Sequence, residues 1–102
     1  MTFKVIAEAE ATLEWNEAVD WYEAKEAGVG LRFDEELRAF LETLAQEPER
    51  FRPATRLARK AKLPRPWPYS VYFAISKAHR EVKVLAIWHD KRNPAALRRR
   101  LE

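Results

Sequence analysis

The chain has 102 residues, 47% hydrophobic and 34% charged, the balance of one globular domain with its own core rather than a disordered segment. It contains no cysteine, which excludes disulfides and thiolate metal sites and makes a reducing cytoplasm the expected location. The net charge of +3 conceals a division: residues 1–51 carry 5 Lys/Arg against 13 Asp/Glu, and residues 52–102 carry 14 against 3, so the halves stand at −8 and +11.

That asymmetry points the second half toward something acidic, either nucleic acid or an acidic protein segment. Fourteen cations exceed what acids on outward helix faces can neutralise. No apolar run approaches the roughly 20 residues of a membrane span, and the opening Met-Thr-Phe-Lys-Val-Ile has no signal-peptide core. No membrane association is expected.

Phe3 to Ile6 reads as a short strand, continuing through Ala7. From about Glu8 to Ala27 the sequence is rich in Ala, Glu, Leu and Lys and free of Pro and Gly, which predicts a helix. Ala11, Trp15, Ala18 and Tyr22 make its apolar stripe, with Val19 and Leu13 widening it. Trp21 lies off the stripe and marks a surface for a partner to cover. Glu8 and Glu10 suit the positive end of the helix dipole, and Gly28 ends the helix in a left-handed conformation. A second helix follows from Leu31 to Gln46, with Phe33, Leu37, Phe40, Leu41 and Leu44 on one face and Pro48 as its stop. The short link predicts an antiparallel helical hairpin.

Phe51 to Pro53 reads as a loop, and Thr55 to Leu63 as a strand with Leu57 on one face among Arg56, Arg59, Lys60 and Lys62. Pro64-Arg-Pro-Trp-Pro68 is an extended connector, because its prolines cannot donate to a ladder. Trp67 within it is either a cap on the core edge or an exposed recognition residue. Tyr69 to Ser76 and Glu81 to His89 alternate with a period of two and form adjacent strands around the turn Lys77 to Arg80. The second of these places Val82, Val84, Ala86 and Trp88 on one face. Its other face, with Leu85 and Ile87, is also largely apolar, so the strand is central and covered on both sides. Asn93-Pro94 reads as an N-cap with proline at the first helical position, opening a helix over Ala95 to Leu101. The whole is a single α+β domain over residues 1–102: a helical hairpin on a small antiparallel sheet, in the order β-α-α-β-β-β-α.

Little conventional chemistry is legible. His79 and His89 stand at opposite ends of a strand with no acidic cluster, so neither metal nor cofactor is expected. The two glycines lie in the helix link, not in a phosphate loop. The acids decorate helices at solvent-like positions. What remains is a cationic set: Arg56, Arg59, Lys60, Lys62, Arg65, His89, Lys91 and Arg92. Such a set can run metal-free RNA cleavage, with a base on the ribose hydroxyl and cations on the phosphorane. His89 is the one member with a suitable unperturbed pKa, although a histidine at a strand end is more often structural. Arg98-Arg99-Arg100 reads as dipole-complementing, solvated cations.

Five segments in register carry a resemblance. They are Glu17-Ala-Val-Asp-Trp21-Tyr22-Glu23 with Gly28-Val-Gly30-Leu-Arg-Phe33, then Pro48-Glu-Arg-Phe51, Pro68-Tyr69-Ser-Val-Tyr72-Phe73, and Ala86-Ile-Trp-His89-Asp-Lys-Arg92-Asn-Pro94. Together they resemble the toxins of the RelE/ParE superfamily of bacterial type II toxin–antitoxin systems. The resemblance implies a helical hairpin packed on a compact sheet. It also implies a cognate antitoxin with an acidic or amphipathic segment, and a homodimer or toxin–antitoxin hetero-oligomer as the assembly. RelE-like members cut mRNA on the ribosome, using basic sheet residues with an Arg and a Tyr near the C-terminus. ParE-like members poison DNA gyrase and have no established catalytic residues. In an ungapped comparison the positions for that Arg and Tyr hold Asp90 and Ala96, leaving Arg92 or Tyr69 to substitute from elsewhere. The ending from His89 to Pro94 matches the ParE branch better. The expectation is therefore a gyrase-directed toxin whose partner-binding residues are Arg56, Arg59, Lys60, Lys62, Arg65, Trp67, Lys91 and Arg92. The alternative is a ribosome-dependent endoribonuclease using His89, Arg59, Lys60, Lys62 and Arg92, or a non-toxic binding module of the same fold.

Overall fold

A computed structural model describes residues 2–102. Its elements are β1 (Lys4–Ala7), α1 (Ala9–Lys25), α2 (Val29–Gln46), a 3-10 turn at Pro48–Arg50, β2 (Arg52–Pro53), β3 (Arg59–Lys62), β4 (Tyr69–Ser76), β5 (Glu81–His89) and α3 (Pro94–Leu101). They form one five-stranded sheet in the order β1-β5-β4-β3-β2. The antiparallel sheet expected from the sequence is present from β2 to β5, and β1 joins it in parallel beside β5. Parallel pairing requires a crossover, and here the intervening helices and strands supply it.

The helical hairpin turns on two glycines. The first helix ends at Lys25 with Glu26 extended, three residues short of the expected stop, and Gly28 sits at φ 92°, in the left-handed region, as the residue that opens α2 at Val29, two residues earlier than Leu31. Gly30 lets α2 approach α1: a Cβ there would meet the carbonyl oxygen of Val19 and the side chain of Glu23. The Glu23 carboxylate accepts from the N–H groups of Gly28 (2.8 Å) and Gly30 (3.0 Å), which would otherwise go unpaired at the start of α2.

Two readings of the middle segment are corrected. Thr55 to Ala58 is a tight turn rather than strand, because the Thr55 hydroxyl accepts from Leu57 N (3.2 Å) and Ala58 N (3.0 Å), a local bond that competes with the ladder. That turn frees Arg52–Pro53 to pair with Arg59–Lys60, so part of the expected loop is a short edge strand. Leu57, expected on a strand face, is 61% exposed at the turn.

The sheet serves two cores. On one side Phe33, Leu37, Leu41 and Leu44 of α2 and Ala11 and Ala18 of α1 cover Val71, Phe73, Val82, Val84 and Ile87. On the other, Leu97 and Leu101 of α3 cover Ala58, Tyr72, Ala86 and Trp88. Each fully buried large side chain contributes about 1.5–3 kcal/mol. The single-face reading of β5 is thus corrected: Val82 and Val84 face the helical hairpin, whereas Ala86 and Trp88 face α3. A β-bulge causes the change. Tyr72 pairs with Ala86 and Phe73 with Val84, so Leu85 is an extra residue and every side chain beyond it swaps sides.

Candidate partner-binding site

β1 runs beside β5 only as far as Val84, where the chain turns into α1. Beyond the bulge, α1 and α3 supply what a neighbouring strand would. Glu14 of α1 accepts from Ile87 N at 3.0 Å, and Arg100 of α3 donates to the Leu85 carbonyl at 2.6 Å. The two side chains also meet each other, with Glu14 accepting from Arg100 Nη1 (2.6 Å) and Nη2 (2.8 Å) and from Arg92 Nη1 (2.7 Å). Burial works against the Glu14 charge, but the bonds from Arg100, Ile87 N–H and Arg92 outweigh it and hold the carboxyl below its ordinary range. Sequence reasoning missed this centre. Glu14 is an acid that does not sit at a solvent-like position, its side chain being 9% exposed, and Arg100 is an anchor rather than a solvated tail residue. The one signal was that Arg100 stands three residues from the buried Leu97, near the edge of the α3 stripe.

Beside this centre lies an open cleft of about 710 Å³ between α1 and the segment from Pro66 to Tyr69, lined by Glu17, Trp21, Tyr22, Tyr69, His89 and Arg92 among others. Trp21 is 55% exposed on its wall. Lys25 lies over the Trp21 ring, 5.1 Å from its centroid. Tyr69 stands edge-on to His89, with 5.0 Å between ring centroids, and burial pushes its phenol up to about 12, with Tyr22 adding to the shift. His89 Nδ1 accepts from Lys91 N at 3.1 Å, so a neutral ring carries its proton on Nε2.

Of the cations singled out in the sequence, His89 and Arg92 share this cleft and the others do not line it. Arg59 donates through Nη1 to the carbonyls of Glu49 (3.1 Å) and Phe51 (2.6 Å). Lys62 bridges the carbonyls of Trp67 (2.9 Å) and Tyr69 (3.3 Å) to the carboxylate of Asp90 (2.9 Å). Buried Ser70 donates to the other Asp90 oxygen at 3.0 Å. Burial opposes the Asp90 charge, yet the bonds from Lys62 and Ser70 prevail and keep the carboxyl low. Arg92 stacks on Trp88, 3.8 Å from the ring centroid, while pairing with Glu14. Lys60 lies 5.9 Å from the Tyr72 ring, and Arg56, Arg65 and Lys91 are exposed. Trp67 is a cap on the core, 3% exposed, donating to Glu36 at 2.7 Å and packed edge-on to Tyr22 and Phe33. Among the described residues no three His, Asp or Glu side chains form a group that could hold a metal.

Residues 5–94 match the family model of the ParE toxin of the parDE type II toxin–antitoxin system. The chain belongs to the ParE toxin family. No curated protein matches it in sequence. Solved structures share the ParE-family fold seen here at low identity. The chromosomal ParDE system of P. aeruginosa superposes with a TM-score of 0.74 at 17% identity, over 86% of this chain and 96% of that one. The isolated E. coli RelE toxin gives 0.62 at 17%, over 95% and 97%. The archaeal RelE–RelB complex from Pyrococcus horikoshii gives 0.58 at 17%, over 91% and 100%. The superfamily expected from the five sequence segments is therefore the right one, and this chain is a type II toxin of that superfamily. Within this fold among the described residues no helix is long and apolar enough to cross a membrane.

Proposed function

We propose that this ParE-family toxin acts by poisoning DNA gyrase rather than by cutting mRNA, and that a cognate antitoxin holds it inactive. The observation that carries the choice is the fate of the cations. A metal-free nuclease needs several of them aimed at one phosphate, with a base and an acid on either side. Here Arg59 and Lys62 are bonded to backbone carbonyls, and Lys62 is further neutralised by Asp90. Arg92 is pinned between Trp88 and Glu14. Of the two candidate proton carriers, Tyr69 has its phenol pushed up to about 12, and His89 has Nδ1 taken by Lys91 N and, among the residues lining the cleft, no cation beside it but the pinned Arg92. Cations engaged in this way support the gyrase reading over a reaction centre.

The antitoxin reading rests on the cleft beside Glu14. A concave surface with an exposed tryptophan and flanking tyrosines suits an apolar anchor, and Lys25 over that tryptophan suits an acidic neighbour on the same segment. The superposed ParDE system and RelE–RelB complex are assemblies of a toxin with its antitoxin.

Purified protein added to gyrase and relaxed plasmid should block supercoiling and accumulate cleaved DNA, while ribosome-bound mRNA stays intact. Cognate antitoxin should reverse the block, and Trp21→Ala should weaken that reversal. Codon-specific cleavage of mRNA, with gyrase unaffected, would replace this reading by the ribonuclease one. Inertness in both assays would leave the binding module.

A further inference from the structure

Several of the cations not absorbed above lie along one sheet edge. From Arg50 to Arg65 the chain holds seven Lys/Arg and no Asp or Glu. The fold lays this stretch out as the edge pair β2 and β3. Arg52 and Lys60 stand directly opposite each other in the register, both exposed. Like charges in a cross-strand pair destabilise a sheet. The nearby acids are already engaged: Glu49, which precedes the stretch, pairs with Lys77 at 3.1 Å, and Asp90 pairs with Lys62. Arg56 at the turn and Arg65 beyond β3 extend the line past both ends of the strand. Four residues of strand span about 13 Å, room for two or three consecutive phosphates.

We infer that this edge, carried by Arg52, Arg56, Lys60 and Arg65, binds the phosphate backbone of duplex DNA without reading its sequence. The like-charge pair is a local cost that an external polyanion removes. Duplex is favoured over single strands because the stretch offers no stacking platform: Phe51 is partly buried and Trp67 wholly so. The inference does not rest on the gyrase reading, since binding to bare duplex is measured without gyrase and none of the cleft residues takes part.

The test is fluorescence anisotropy of a labelled 20-base-pair duplex of arbitrary sequence with the purified chain, titrated from low to physiological salt. Single-stranded DNA of the same length and polyglutamate serve as competitors. Duplex should bind in a salt-dependent way and be displaced poorly by polyglutamate. Replacing Arg52, Arg56 and Lys60 together by serine should weaken binding roughly tenfold or more at low salt and flatten the salt slope, each lost contact removing about 0.9 from it. The single change Lys60→Thr should raise the melting temperature while lowering affinity, because it relieves the opposed charges. No duplex binding at low salt, equal binding by the triple variant, or stronger competition by polyglutamate than by DNA would each overturn the inference. So would a fall in melting temperature for Lys60→Thr, which would give the lysine a structural role instead.

Discussion

Removing the Glu14 carboxylate should cost this small domain a large share of its stability, although the residue lies on a helix face that composition marks as solvated. Glu14→Ala leaves Ile87 N–H without an acceptor inside a strand residue that is 2% exposed, a loss of about 1–3 kcal/mol. It also strips the carboxylate from Arg100, whose side chain is 17% exposed. Breaking a fully buried pair costs about 3–5 kcal/mol; Arg100 keeps the Leu85 carbonyl and Glu10, so roughly 1–2 kcal/mol is the fitting share. Arg92 is half exposed and adds less than about 1 kcal/mol. The sum is about 3 kcal/mol, or roughly 15 °C in melting temperature for a domain of this size. Circular dichroism melts of Glu14→Ala and Glu14→Gln measure it. The glutamine keeps an acceptor for Ile87 and should lose about half as much. A drop below about 4 °C for the alanine variant would show that neither the bulge nor α3 depends on this side chain.

The same carboxylate sets an acid limit. Its pKa is lower folded than unfolded, so its contribution is complete above the ordinary value of 4.5 and is lost as pH falls through the depressed folded value. Melting temperatures of the wild type should fall more steeply than those of Glu14→Gln below about pH 4.5, and parallel curves would refute the assignment. Gly30→Ala should destabilise by about 1–3 kcal/mol in urea unfolding, because the new methyl meets the Val19 carbonyl and the two helices must part. Arg59→Met should cost about 1–2 kcal/mol by the same measurement while leaving gyrase inhibition per folded molecule unchanged, since its bonds to Glu49 and Phe51 are structural. Loss of inhibition at full stability would return Arg59 to the functional surface.

Much of the architecture could be read because local signals agreed with the global fold. The α2 stripe from Phe33 to Leu44, the glycine link, the alternation of β4 and the Asn93-Pro94 start of α3 each rest on a period or a cap within a few residues; Asn93 does accept from Ala95 N, at 2.9 Å. What could not be read were the non-local choices. Nothing near Leu85 announces a bulge, which is defined only by the partner strand. Nothing near Glu14 announces Ile87 or Arg100, 73 and 86 residues away. The cationic set could be counted but not placed: charge composition reports how many cations a half-chain carries, whereas the carbonyls that claim Arg59 and Lys62 belong to turns that only the folded chain creates.

The parallel pairing of β1 with β5 has a consequence for how the protein comes into being. During synthesis the β1 segment and α1 emerge early, yet the strand that β1 needs begins at Glu81, and the side chain that locks Glu14 is Arg100. The strand that lies between β1 and β4 in the sheet is thus the last to be made. A ribosome partway along the message carries a helical hairpin with no β5 to pack against, since contacts of such high sequence separation cannot form before their distal half exists. Translation that stops before β5 releases a chain without the cleft at His89 and without the second core. The cleft and the second core thus come into being only when nearly the whole described chain is available.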